Sequence, residues 1–412
     1  MKLLHYLIGI LFSLCYLYPL FLQLRGAFAP KRALPKKNQT RRYGILIAAR
    51  NEEAVIGHLL KSIREQDYPA RLLRVFVVAD NCTDCTAAAA REAGANVFVR
   101  KDPERPGKGY ALHWLLEQIK GAEALSQYDG FFVFDADNLL SRNFITEMDK
   151  ALTDDRPVVT GCRNSKNFGD SWVSAGQAVW FLRGSQLNHG RARQNTNCLI
   201  SGTGFLFSSS LLEQSGGWRF FLLTEDAEFN AFHTAKGVRI GYCPTAVFYD
   251  EQPVTLPQSL RQRRRWARGS SQVLGRYGRR LLCGQNRLSC WDLLTALLPA
   301  AGLTAAGVCL GLLELLSRLG TDRFLPFALM TALRGLILGY LAFFPVGLLA
   351  ILPNWNQIKA GRRAKLQGLF AFPLFMMTFT PAALAALLPG TGWKPIHHGA
   401  AVSLEEMQKE TV

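Results

Sequence analysis

The chain has 412 residues, 49% of them hydrophobic, and a formal net charge of +17 at pH 7. Its nine cysteines are scattered without the spacing of a secreted disulfide framework, and no nucleic-acid module, repeat or low-complexity tract is present, so nucleic acid is not an expected partner. Long apolar runs flank a mixed polar middle, which argues against a wholly soluble chain and for a membrane protein carrying one soluble domain.

Leu3 to Leu24 contain one ionisable side chain, His5, and are long enough to cross a bilayer core as a helix. A cleaved signal peptide fits less well, because only Lys2 precedes the run, the apolar stretch is too long and the basic charge follows it. That charge, Arg25, Lys31, Arg32, Lys36, Lys37, Arg41 and Arg42, places the following domain in the cytosol by the positive-inside rule. Three more runs, about Trp291 to Leu316, Phe324 to Leu352 and Leu366 to Leu388, bring the expected spans to roughly four, a multi-pass protein of the cell membrane.

Between the first and second spans, "YGILIAARNEE", "LLRVFVVADNCTD", "NVFVR" and "YDGFFVFDADN" read as short buried strands, and the segments between them carry helical apolar spacing. This alternation predicts a mostly parallel, Rossmann-like α/β sheet covered on both faces, with ligands bound beyond the carboxyl ends of its strands. Asp80, Asp135 and Asp137 fall there. "CTDC" at 82–85 stands without a partner pair or nearby histidines, which is poor support for a zinc site.

Asp135 and Asp137 alternate at the tip of a buried strand and can offer oxygen ligands to Mg²⁺ or Mn²⁺, with a phosphate-bearing substrate completing the shell. Acidic residues also commonly end strands, so the pair alone is weak evidence. "RPGKGYAL", 105–112, sets glycines around Lys108 and suits a loop against phosphate, without Walker spacing. "SGTGF", 201–205, is a stretch of small residues that lets backbone approach a sugar. Thr224, Glu225 and Asp226 in "LLTEDAEF" read as a helix start with acids at the positive end of the dipole, or as the place of a general base. "SLRQRRRWAR", 259–268, packs five arginines and a tryptophan beside an apolar segment.

Taken in order, "AARNEE", "VVADNCTD", "GKGYAL", "FDADN", "SGTG", "TEDAEF" and "QRRRW" resemble the membrane-bound family 2 inverting glycosyltransferases, the group of hyaluronan, chitin and cellulose synthases. The resemblance covers roughly residues 43–270. It implies a cytosolic GT-A domain over 27–258, between a transmembrane helix at 1–26 and a basic interfacial segment at 259–288, then a transmembrane region at 289–390 and a tail at 391–412. It also implies a UDP-sugar donor, with the Ala49 to Glu52 turn (Asn51 included) and Asp80 holding uridine, Lys108 the nucleotide, and Asp135 and Asp137 the diphosphate and metal.

By the same resemblance Asp226, beside Glu225, is the base that deprotonates the acceptor. Trp266 stacks on the acceptor sugar, Gln262 and Arg265 contact the diphosphate, and Thr203, Gly204 and Thr224 stand at the acceptor or the diphosphate. Arg261, Arg263, Arg264 and Arg268 are then expected on an interfacial helix touching anionic lipid headgroups. The expected product is a β-linked polysaccharide; transfer of one sugar to a lipid is the alternative, because ceramide glucosyltransferases share these motifs. A non-enzymatic nucleotide sensor or platform is the remaining reading. "TGWKPIHHG", 391–399, looks like a cytosolic loop that closes over the donor, which requires the run holding Pro373 and Pro381 to be re-entrant.

Overall fold

The computed structural model describes all residues except 1, 32–33, 36–39, 298–306, 308–309, 318, 322–323, 389–405 and 408–412. The soluble domain is built on an eight-stranded sheet of order β3-β2-β1-β4-β7-β6-β8-β5. Its strands are β1 (Tyr43–Ala49), β2 (Leu73–Asp80), β3 (Asn96–Arg100), β4 (Gly130–Asp135), β5 (Leu139–Leu140), β6 (Val158–Ser165), β7 (Phe205–Ser208) and β8 (Ile240–Asp250). The first four are parallel, as the alternation of strands and helices requires. Beyond β4 the sheet becomes mixed: β7 runs antiparallel to both β4 and β6, and β6 pairs parallel with β8.

Parallel register aligns Ala49 with Ala79 and Ala48 with Asp135, so the carboxyl ends of β1, β2 and β4 open at one sheet edge. Helices α1 (Lys2–Ala27), α2 (Ile56–Arg64), α3 (Thr86–Glu92), α4 (Lys108–Ala122), α5 (Phe144–Ala151), α6 (Trp172–Arg193), α7 (Ser209–Gln214), α8 (Glu225–Ala235), α9 (Leu256–Leu282) and α10 (Arg287–Leu297) follow in chain order. Side chains alternate across the sheet. Leu46, Phe76 and Phe131 pack with Leu112 and Leu115 of α4 and Phe229 of α8, while Ile45, Val77 and Phe132 pack with Leu59 of α2 and Phe144 of α5.

After α10 come α11 (Phe324–Ile351), α12 (Arg362–Met377) and α13 (Phe379–Leu387). Among the described residues three helical segments are long and apolar enough to cross a membrane: Tyr6–Ala27, Phe324–Asn354 and Arg362–Leu387. The run expected from Trp291 to Leu316 falls partly outside the described residues, and so does nearly all of the tail from 391. The proline-containing run forms two helices with a break at Thr378, and α13 lies along α9.

Helix α6 joins the two parts of the molecule. Ser171 caps it, accepting from the Ser174 amide, while the Ser174 hydroxyl accepts from the Ser171 amide. Its outer face meets α1 at backbone contact: a Cβ on Gly26 would lie 1.9 Å from the Gln186 carbonyl oxygen, and one on Gly190 would lie 2.1 Å from that of Leu22. Only glycine allows this approach, and it fixes α1 against the soluble domain.

Candidate active site

Lys108 opens α4 directly after Gly107, whose φ of +126° is closed to most side chains. Its ammonium is thereby turned onto the tip of β4, where it forms an ion pair with Asp135 and donates to the Gly202 carbonyl at 2.8 Å. The Asp135 amide donates to the Thr203 hydroxyl at 2.9 Å, and that hydroxyl donates to Asn138. Asp137 accepts from the Glu251 amide at 2.9 Å and from Asn138 at 3.3 Å.

Asp135 and Asp137 both line one cavity of about 1680 Å³. Their oxygen donors suit a hard divalent cation. No group of three His, Cys, Asp or Glu side chains able to cage an ion occurs among the described residues, so a bound cation would draw further ligands from a substrate.

Opposite this corner, Thr224, Glu225 and Asp226 form the start of α8. The Ala227 amide donates to Asp226 Oδ1 at 2.8 Å. Gly202, with φ +83°, faces the other oxygen closely enough that a Cβ there would lie 3.6 Å from it. Burial pushes the Glu225 carboxyl up, the charge of Asp226 adds to this, and Lys108 and Arg265 oppose it. Asp226 is raised as well, again by burial first, against the Ala227 hydrogen bond, Arg265, Lys108 and Arg163. Two adjacent carboxylates with raised, linked titrations are suited to accepting a proton near neutral pH.

From α9, the Arg265 guanidinium donates to the Leu223 carbonyl at 3.4 Å, just ahead of the α8 acids. Gln262 accepts from Gln177 at 2.6 Å. Trp266 stacks on Trp180 of α6, and Phe181 meets it edge-on at 5.9 Å. Gln262, Arg265 and Trp266 all line the cavity, as do Glu52, Lys108, Thr224, Glu225 and Asp226.

Several expected residues stand elsewhere. Ala49, Asn51 and Asp80 do not line this cavity: Asp80 is buried and paired with Arg100 at 2.5 Å, and Asn51 exchanges hydrogen bonds with Thr83. Thr203 and Gly204 lie behind the wall, where Thr203 braces Asp135 and Gly204 (φ +64°) packs on the Phe248 ring. They hold the site in place, and neither lines the cavity. Arg263 is likewise not at a lipid headgroup: it is buried, donates to Thr378 at 2.8 Å and lies 4.4 Å and 4.5 Å from the Phe375 and Phe379 ring centres. Arg261 and Arg268 are the exposed members of that cluster.

Arg163, Asp250 and Trp180 were not anticipated. Arg163 pairs with Asp250, donates to Ser201 and covers the Phe181 ring at 3.5 Å, within the same wall as Asp226. Burial raises Asp250 despite Arg163. The only sequence signal was Asp250 at the end of an apolar strand followed by Glu251, a repeat of the pattern at Asp135.

A family model described as glycosyltransferase-like family 2 matches residues 41–269. The chain belongs to this family. It is a glycosyltransferase with a GT-A fold and a mixed α/β sheet.

A probable glycosyltransferase of Bacillus subtilis, YdaM, is 28% identical over 278 residues, 63% of this chain and 64% of that protein. A β-monoglucosyldiacylglycerol synthase of Synechocystis is 25% identical over 380 residues, 87% of this chain and 75% of that protein. The chain thus spans less than two thirds of the length of the Bacillus relative. Among solved structures, a Pyrobaculum calidifontis mannosyltransferase in complex with GDP-mannose and Mn²⁺ superposes with a TM-score of 0.61 at 18% identity, covering 92% of this chain and 98% of that one. This likeness is one of fold.

Proposed function

We propose that this enzyme is a membrane-embedded inverting transferase that moves one sugar from a UDP-sugar to the hydroxyl of a lipid acceptor, with its catalytic domain in the cytosol. The observation that carries the reading is the extent of the cavity. From Asp135, Asp137 and Asp226 it continues past Trp266 to Leu312, Phe327, Phe343 and Met377, whose side chains belong to the apolar part of the chain. A polar head held at the carboxylates and tails held against these residues fit one lipid. The β-monoglucosyldiacylglycerol synthase name of the Synechocystis relative supports the same choice. A growing polysaccharide, the alternative, would meet these apolar side chains beyond Trp266.

In this reading Lys108 binds the donor diphosphate, Gln262 and Arg265 support it, and the end of β1, where Arg50 and Glu52 line the cavity, borders the uridine. Asp135 and Asp137 would hold Mg²⁺ or Mn²⁺, which when bound neutralises charge on the departing diphosphate. Asp226 takes the proton of the acceptor hydroxyl as that oxygen bonds to the anomeric carbon. The bond from this carbon to the diphosphate breaks with its electron pair leaving on UDP. Attack from the opposite face converts an α-linked donor into a β-linked product without an enzyme nucleophile. Trp266 and Trp180 orient the acceptor, and Glu225, one residue away, raises the basicity of the pair.

Membranes carrying the chain, given labelled UDP-hexoses and Mn²⁺, are expected to yield an organic-soluble lipid bearing one sugar. Label in a long water-soluble polymer would contradict single transfer. No transfer from any UDP-hexose would contradict the donor.

A further inference from the structure

Beyond the catalytic corner, the cavity wall holds a cation that the reaction above does not use. Arg183 lines it one turn of α6 beyond Trp180, on the same helix face and about 4.5 Å further along the axis. Among the described residues no carboxylate pairs with Arg183. Its Nε donates to Gln23 Oε1 at 3.2 Å, and the other charged group close to it is the Arg191 guanidinium, whose own charge is matched by Asp292 at 2.6 Å. Tyr16 and Cys15 of α1 complete this side of the cavity.

A half-buried guanidinium without an anionic partner is poorly compensated, and burial pulls Arg183 down to about 10. The surroundings are otherwise organised to hold it. Gln23 also donates to Gln186 at 3.2 Å and to the Val346 carbonyl at 3.0 Å, and Gln186 donates to the Leu349 carbonyl at 2.7 Å, so a buried amide layer fixes the position across α1, α6 and α11.

We propose that Arg183 is the binding site for an anionic phosphate carried by the lipid acceptor, so that the acceptor class is a phospholipid with a free hydroxyl on its headgroup. The proposal rests on the lipid-acceptor reading. The hydroxyl sits at Asp226, the phosphate sits at Arg183, one turn of α6 beyond the Trp180 that stacks on Trp266, and the tails continue along the apolar side chains of the cavity. Arginine suits the task because its planar fork meets phosphate oxygens with two parallel hydrogen bonds.

The test uses the full chain in nonionic detergent micelles with labelled UDP-hexose and Mn²⁺, offering phosphatidylglycerol, diacylglycerol or water-soluble glycerol 3-phosphate. Phosphatidylglycerol is expected to be glycosylated with a KM about tenfold or more below that of diacylglycerol. R183M removes this preference, and R183K retains part of it. The preference in the unaltered chain is a readout that does not depend on either variant folding. Diacylglycerol labelled as well as phosphatidylglycerol, or R183M keeping the preference, would overturn the phosphate site and leave the lipid-acceptor reading intact. Glycerol 3-phosphate accepting as well as the phospholipid would make the phosphate source soluble and overturn the assignment to a lipid. Label in no lipid at all would overturn both readings.

Discussion

Trp266 of α9 stacks on Trp180 of α6 with ring centroids 5.4 Å apart and planes inclined by 18°. The pair ties the arginine-rich helix to the helix that packs on α1, α11 and α12. It also supplies a broad apolar platform beside Asp226. Removing either ring is expected to raise the acceptor KM more than the donor KM. Trp180→Ala costs about tenfold in kcat/KM and Trp180→Phe considerably less, because stacking geometry contributes roughly 0.5–1.5 kcal/mol beyond buried area. Equal loss from Phe and Ala, measured by initial rates, would count against a stacking role.

Lys108 bridges Asp135 and the Gly202 carbonyl, so it couples β4 to the loop before β7. Lys108→Met leaves Asp135 without its cation and removes positive charge from the diphosphate position. A fall in kcat/KM of about 100-fold, with weaker UDP binding by calorimetry, is expected. Unchanged UDP affinity would remove Lys108 from the donor site.

The pH dependence follows from the α8 acids. Both carboxyls are raised by burial, so the base is protonated, and inactive, at pH values where an ordinary exposed carboxylate is already ionised. Log kcat/KM is therefore expected to fall on the acid side starting closer to neutrality than an exposed Asp would give. A limb that begins where an ordinary exposed carboxylate titrates would argue against a buried base at Asp226.

Gly204 holds a φ of +64°, and a Cβ there would lie 2.2 Å from the Phe248 ring. Gly204→Ala is expected to destabilise the domain by about 3 kcal/mol or more, combining backbone strain with overpacking. Gly57, where a Cβ meets nothing within 4 Å, is the control, and Gly57→Ala changes the thermal midpoint little. Comparable midpoints for the two variants would contradict the packing described around β7.

The first half of the domain was legible because β1 to β4 are short apolar runs with polar ends, and β1, β2 and β3 are each followed by a helical segment. The second half was not. Helix α6 is buried against the sheet, α1 and α12 on different sides, so no single apolar stripe marks it in the chain. Strand β7 runs against its neighbours, a reversal that no local pattern encodes. The carboxylates at Asp135, Asp137 and Asp226 could be found by their motifs, whereas the pairing of Arg163 with Asp250 joins residues far apart in sequence and depends on the fold. Arg263 shows the opposite error: an arginine in a basic run reads as a lipid-headgroup contact, yet Phe375 of α12, Phe379 of α13 and Thr378 between them enclose it.

The most direct test is Asp226→Asn in the full chain, with UDP-sugar affinity and turnover measured on the same preparation. The account predicts an affinity within about twofold of the unaltered protein and turnover lower by roughly 10²–10⁴-fold, the range that general-base catalysis contributes. Turnover that survives the substitution with unchanged affinity would contradict the assignment of Asp226 as the base and the mechanism built on it.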